Sequence, residues 1–199
     1  RKDLRPRSVR KKVIVPYPKD NILFGYAGDA SLSVVRGKTI TANLACVNLG
    51  YSRLIKERLE IGVAYGFSSR YVSLSRYAPG YVVSGHGGTF HLLYFTHPKR
   101  RSRFSIGVKG FFAFYENYSS IRTSSYAKNN GVGGVVLEMG GNFGGRKFIV
   151  NPFISGGFQN FRAIVSTDSY VTVNQINMNS GVIGGGLRFR VPVGKRNKN

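Results

Sequence analysis

The sequence predicts an all-β fold: an eight-stranded antiparallel up-and-down β-barrel. Three observations lead there. Large apolar residues alternate with small ones over long segments, short and long connections alternate along the chain, and the composition is rich in glycine and aromatics. Period-two alternation is the pattern of a strand with two unlike faces. The 199 residues include 26 Gly, 14 Phe and 12 Tyr with no Trp, a mix that weakens helices and favours strands.

Residues 1–20 read as a basic tail. Arg1, Lys2, Arg5, Arg7, Arg10, Lys11, Lys12 and Lys19 face Asp3 and Asp20 alone, and Pro6, Pro16 and Pro18 discourage helix. Val13-Ile14-Val15 is a short apolar run able to add to a partner's sheet edge. The barrel is expected over 21–193, with a basic C-terminal tail at 194–199. Because residue 1 is Arg, any leader is expected to precede the chain as given.

Eight segments carry the alternation: 21–33, 39–54, 58–70, 82–96, 102–116, 131–143, 147–161 and 181–193. In the third, Leu59, Ile61, Val63, Tyr65 and Phe67 share a face opposite Glu60, Gly62, Ala64, Gly66 and Ser68. The fifth sets Phe104, Ile106, Val108, Phe112 and Phe114 against Ser105, Gly107, Lys109, Ala113 and Tyr115. The sixth sets Val135, Leu137, Met139 and Phe143 against Val136, Glu138, Gly140 and Asn142, and the eighth sets Ile183, Leu187, Phe189, Val191 and Val193 against Gly184, Gly186, Arg188 and Arg190. The second can be phased either way around Ala45 and Cys46. Pro152 donates no ladder hydrogen bond, so a bulge is expected in the seventh.

No run of about 18 apolar residues exists, so no transmembrane helix is predicted. The faces point instead to a transmembrane barrel. The non-apolar face holds Gly, Ser, Ala and Asn with isolated charges, which suits a narrow interior and not a solvated exterior. The apolar face then meets lipid. Asp29, Glu60, Glu138, Lys109, Arg188 and Arg190 are expected inside as lumenal ion pairs, with Lys109 and Glu138 on adjacent segments as one pair. Charges in so narrow a space are expected to plug it, not to line an ion path.

The formal charge is +22, and its placement follows the connections. About two-thirds of the Lys and Arg lie in the tail, the short links and the C-terminus, with Arg53 and Arg103 beside them. The links bring Lys56 and Arg58, then Lys99, Arg100 and Arg101, then Arg146 and Lys147, with Lys195 and Arg196 at the end. All of these fall on one rim, which is periplasmic where short turns mark that side. The longer connections, 70–82, 116–131 and 161–180, are rich in Ser, Tyr, Asn and Thr. A basic rim implies an acidic protein partner, through salt-sensitive contacts. No nucleic-acid partner, small-molecule substrate or cofactor is implied.

The pattern resembles the small eight-stranded outer-membrane barrels, the OmpA-transmembrane and OmpX-like class, over residues 21–193. Gly184-Gly185-Gly186-Leu187-Arg188-Phe189-Arg190 and Asn48-Leu49-Gly50-Tyr51-Ser52 are similar to strands of Bacteroidota-type outer-membrane barrels. The resemblance implies an integral protein of a Gram-negative outer membrane.

Some barrels of this size are enzymes that modify lipid A or cleave peptides, and they need a His with a Ser or carboxylate partner. His86 has Ser84 and Ser68 as possible neighbours, and His97 has only distant Glu57; His91 completes the set. No Cys/His spacing suits a metal. The expected function is non-enzymatic: a scaffold or accessory subunit of an envelope complex serving secretion, transport or outer-membrane protein assembly. A barrel enzyme, a soluble RNA-binding barrel and a passive pore are the alternatives.

Overall fold

The computed structural model describes residues 19–35, 38–73, 81–96, 103–119, 126–127, 130–144, 147–167 and 172–193, with side chains over 19–28, 45–69, 84–96, 103–115, 131–144, 147–161 and 179–193. The tail through residue 18, and residues 194–199, lie outside the described residues.

The strands are β1 (Asp20–Val35), β2 (Lys38–Ile55), β3 (Leu59–Ser73), β4 (Tyr81–Phe95), β5 (Arg103–Ser119), β6 (Tyr126–Ala127), β7 (Asn130–Gly144), β8 (Ile149–Thr167) and β9 (Thr172–Val193). Every pairing is antiparallel. Eight strands follow one another around a ring, and β9 pairs with both β8 and β1 to close it. The two-residue β6 pairs with β8 at Val165 and Ser166, on the edge of β8 that β7 occupies up to Arg162.

The ladder also fixes the tilt. From Asn21 the partners run Ser52, Gly62, His91, Lys109, Val136, Gly157 and Val182, and return to β1 at Ser31. One circuit therefore climbs from residue 21 to residue 31 of the same strand. That stagger tilts the strands about 40° from the axis.

The two faces are sorted as the alternation requires. Phe158, Ile183 and Leu137 are 79%, 75% and 64% exposed on the outside. Phe104 to Phe114 spans roughly 25 Å along the axis at about 3.3 Å per residue and about 40° of tilt. That matches the apolar band of a membrane barrel, about 25 Å tall. A soluble barrel would bury these side chains centrally. Here the centre holds Glu60, Glu138, Asn142, Asn151 and Arg190 instead.

One open reading resolves, and two expectations need correction. The ambiguous second segment resolves with Ala45, Val47, Leu49 and Tyr51 outside and Cys46, Asn48 and Ser52 inside. No bulge forms at Pro152: the β7–β8 register is the same on both sides of it, from Gly140↔Phe153 to Phe143↔Val150. Asn151 Nδ2 donates to the Gly141 carbonyl at 3.2 Å, where a proline has no N–H to offer. The register shift falls instead in β4–β5, where Ser84 pairs Asn117 and Gly85 pairs Tyr115, leaving Glu116 extra. Lastly, the connection expected over 161–180 is mostly strand. β8 and β9 stay paired up to Thr167↔Thr172, past Gly131↔Arg162, where the β7 ladder ends.

The short-turn end is tight. Lys56 and Glu57 have φ of 49° and 61°, and Arg58 N donates to Ile55 O at 3.3 Å. Two left-handed central residues make the two-residue turn whose twist matches a hairpin. Gly144, at φ 129°, ends β7 in a conformation that favours glycine.

Candidate functional site

The lumen is filled in layers. Nearest the short turns, Leu54, Leu93 and Phe95 form an apolar cluster, each at most 4% exposed. The alternation of β2 and β4 turns these three inward, so they pack against one another across the narrow end.

A charged layer lies above it. Arg190 Nε donates to both Glu60 oxygens at 3.1 Å, and Nη2 donates to Oε1 at 2.8 Å. Arg190 Nη1 reaches Asn142 Oδ1 at 2.8 Å. His91 Nε2 is 3.1 Å from Glu60 Oε1; a carboxylate only accepts, so this nitrogen carries the proton. Gly62, the ladder partner of His91, leaves room for the ring: a Cβ there would stand 2.2 Å from it.

The second pair has the fork geometry that suits arginine and carboxylate. Arg188 Nη1 and Nη2 donate to the two Glu138 oxygens, each at 2.8 Å, and Nη1 also reaches Asn151 Oδ1 at 3.0 Å. Arg188 Cζ and Lys109 Nζ lie 4.9 and 5.0 Å from the Phe153 ring centroid, within cation–π range. Glu138 thus takes a bidentate partner from the last strand, beyond the expected Lys109 on the neighbouring strand. The tilt explains this, since side chains at one height come from distant ladder positions. Asp29 sits in β1 opposite Leu44 and Gly184, and its side chain lies outside the described residues.

Above the charges is a chamber lined by Cys46, Asn48, Ser68, Lys109, Phe111 and Phe153 among others, with about 50 Å³ of room. At about 10–15 Å³ per water that holds a few waters and no larger solute. Buried Ala113, Tyr115, Val132, Phe161 and Val182 belong to the long-loop half of the lumen. There Gln159 Nε2 donates to Ser180 Oγ at 3.0 Å.

The rim is the second candidate. Lys19, Arg53, Lys56, Arg58 and Lys147 are exposed there, with Asp20 and Glu57 as the acids among the described residues. Arg58 Nη1 donates to Tyr94 Oη at 3.1 Å. Asp20 accepts a hydrogen bond from Tyr51 Oη and stands 3.8 Å from Arg53 Nε. Arg103 departs from its expected place: it is 4% exposed and turns inward, with Nη1 donating to Glu57 O at 3.3 Å. The expected rim residues Arg5, Arg7, Arg10, Lys11, Lys12, Lys99, Arg100, Arg101, Arg146, Lys195 and Arg196 lie outside the described residues.

Among the described residues, His86 and Ser68 fall on opposite faces of the wall. His86 is bonded through Nδ1 to Tyr65 Oη, on a part of the wall where Tyr65 faces outward, whereas Ser68 is buried in the lumen. His91 is committed to Glu60, and His97 lies outside the described residues. Alternation readily finds His91, Asn142 and Asn151, which fall on the small face of their strands. Their contacts with the charges depend on the closed ring and are not visible in the alternation.

Two solved structures share the architecture. The outer membrane protein OprG from Pseudomonas aeruginosa matches with a TM-score of 0.61 at 13% identity, covering 89% of this chain and 99% of its own. Neisserial surface protein A matches with a TM-score of 0.50 at 15% identity, covering 87% and 97%. The sequence matches no protein-family model and no curated protein. At these identities the likeness is one of fold: this chain is a closed eight-stranded β-barrel of the outer-membrane type. The finer similarity to Bacteroidota-type barrels rests on the sequence alone.

Proposed function

We propose that the protein is an integral barrel of a Gram-negative outer membrane, without enzymatic activity, serving as a scaffold or accessory subunit of a larger envelope complex. Its basic periplasmic rim and tail dock an acidic periplasmic protein. The observation that carries this reading is the contrast between the two candidate sites. Glu60 and Glu138 are committed to Arg190 and Arg188 in the lumen, while the rim cations among the described residues are exposed and outnumber the acids beside them. A buried, mutually bonded network adds rigidity, and an exposed charge excess attracts a partner of opposite sign.

The test is co-purification from envelopes with the full chain and with residues 1–18 deleted. The docked partner should be lost on deletion and should dissociate as salt rises. A partner retained unchanged in both conditions overturns tail docking.

A further inference from the structure

The rim cations also stand directly against the edge of the apolar band. We propose that Arg53, Lys56 and Arg58, on the β2–β3 hairpin, contact the phosphates of anionic phospholipids in the leaflet at the short-turn end. This rests on the membrane-inserted reading above and adds a ligand to it.

Depth is the first argument. Tyr51 lies two residues before Arg53 on the same outward face, and Tyr94 is the ladder partner of Leu59, next to Arg58. Both tyrosines are exposed, at 43% and 42%. An aromatic ring with a polar tip belongs at the boundary between hydrocarbon and headgroups. Arg58 is hydrogen-bonded to Tyr94 Oη and Arg53 stands beside the Asp20 that Tyr51 bonds, so both guanidiniums are held at that level.

The surroundings are the second argument. Leu49, Tyr51, Ile55 and Val63, outward on the same two strands, are apolar and exposed. A group approaching the hairpin from the side of the wall therefore comes out of the bilayer, and headgroup phosphate is the anion found at that depth.

The chemistry agrees. A guanidinium has five N–H donors, and Tyr94 takes one of those on Arg58. Arginine matches phosphate through paired donors, and Arg53 reaches toward β1 while Arg58 reaches toward β4, so the hairpin presents its cations along the wall. The tail meets the aqueous partner; the hairpin meets lipid.

The experiment uses the full chain in nanodiscs of phosphatidylcholine containing phosphatidylglycerol, with bound lipid counted by native mass spectrometry. Phosphatidylglycerol should be enriched on the protein. R53Q/R58Q should weaken that preference about fivefold for each arginine removed. R53K/R58K should keep most of it, and deletion of residues 1–18 should leave it unchanged. Far-UV circular dichroism confirms that each variant is folded. An unaltered preference in R53Q/R58Q overturns the proposal. Loss of the preference on deleting the tail does so too, by moving the lipid contact to the tail. A chain that does not enter nanodiscs overturns the membrane-inserted reading itself, and the lipid site with it.

Discussion

Glu60→Ala is the substitution that probes the interior most directly. The side chains of Glu60 and Arg190 are each 0% exposed, so water does not screen their interaction. The carboxylate takes three hydrogen bonds from Arg190 and one from His91. Removing it leaves a guanidinium in a closed lumen without its counter-charge. Breaking a buried pair from one side costs about 3–5 kcal/mol. With a urea slope of about 2 kcal/mol/M, the unfolding midpoint should fall by roughly 2 M. The double substitution Glu60→Leu with Arg190→Met removes both charges at similar volume and should lie close to the parent. Since the chain has no Trp, unfolding in detergent micelles is best followed by far-UV circular dichroism. A loss below about 1 kcal/mol for the single variant, or a double variant as unstable as the single, would refute the view that the pair holds the lumen.

Other outcomes follow from the same geometry. Leu137→Arg puts a charge on the outer wall where Leu137 is 64% exposed, and should destabilise folding into vesicles by about 2–4 kcal/mol; a change within about 0.5 kcal/mol is what a water-facing site would give. Gly62→Ala places a Cβ 2.2 Å from the His91 ring and should cost about 1–3 kcal/mol, whereas Gly181→Ala, with nothing within 4 Å, should be near neutral by the same urea assay. Phe153→Leu removes the ring over which Lys109 and Arg188 lie and should lower stability by about 1–3 kcal/mol. Purified protein in planar bilayers should conduct at baseline, because the charged layer and the Leu54–Leu93–Phe95 cluster fill the lumen below the chamber; steady unitary currents would contradict that.

Strand identity and the sorting of faces were legible because each depends on residues two apart. Wherever Phe104, Ile106 and Val108 alternate with Ser105, Gly107 and Lys109, the outcome is local. Partner choice across the lumen was not legible. Glu60 meets Arg190 and Glu138 meets Arg188 through the stagger of the closed ring, a property of all the registers together. Strand ends were misread for a related reason. Asn174, Gln175, Asn177 and Asn179 have the composition of a loop, yet the ladder to β8 holds them in a strand. Pro152 misled in the opposite direction: its missing donor is offset by the Asn151 side chain and not by a bulge. At the rim, Arg103 reads as one more surface cation, and the parity of β5 turns it inward.

The pairing of Arg190 with Glu60 constrains how the chain can enter a bilayer. The two residues are 130 positions apart and sit on β9 and β3, which share no edge. Their contact therefore forms when the sheet curls round and the seam between β1 and β9 is sealed. Until then an open sheet would hold Arg190 and Glu60 apart, each without this counter-charge. Closure of the barrel and neutralisation of this pair are thus one step.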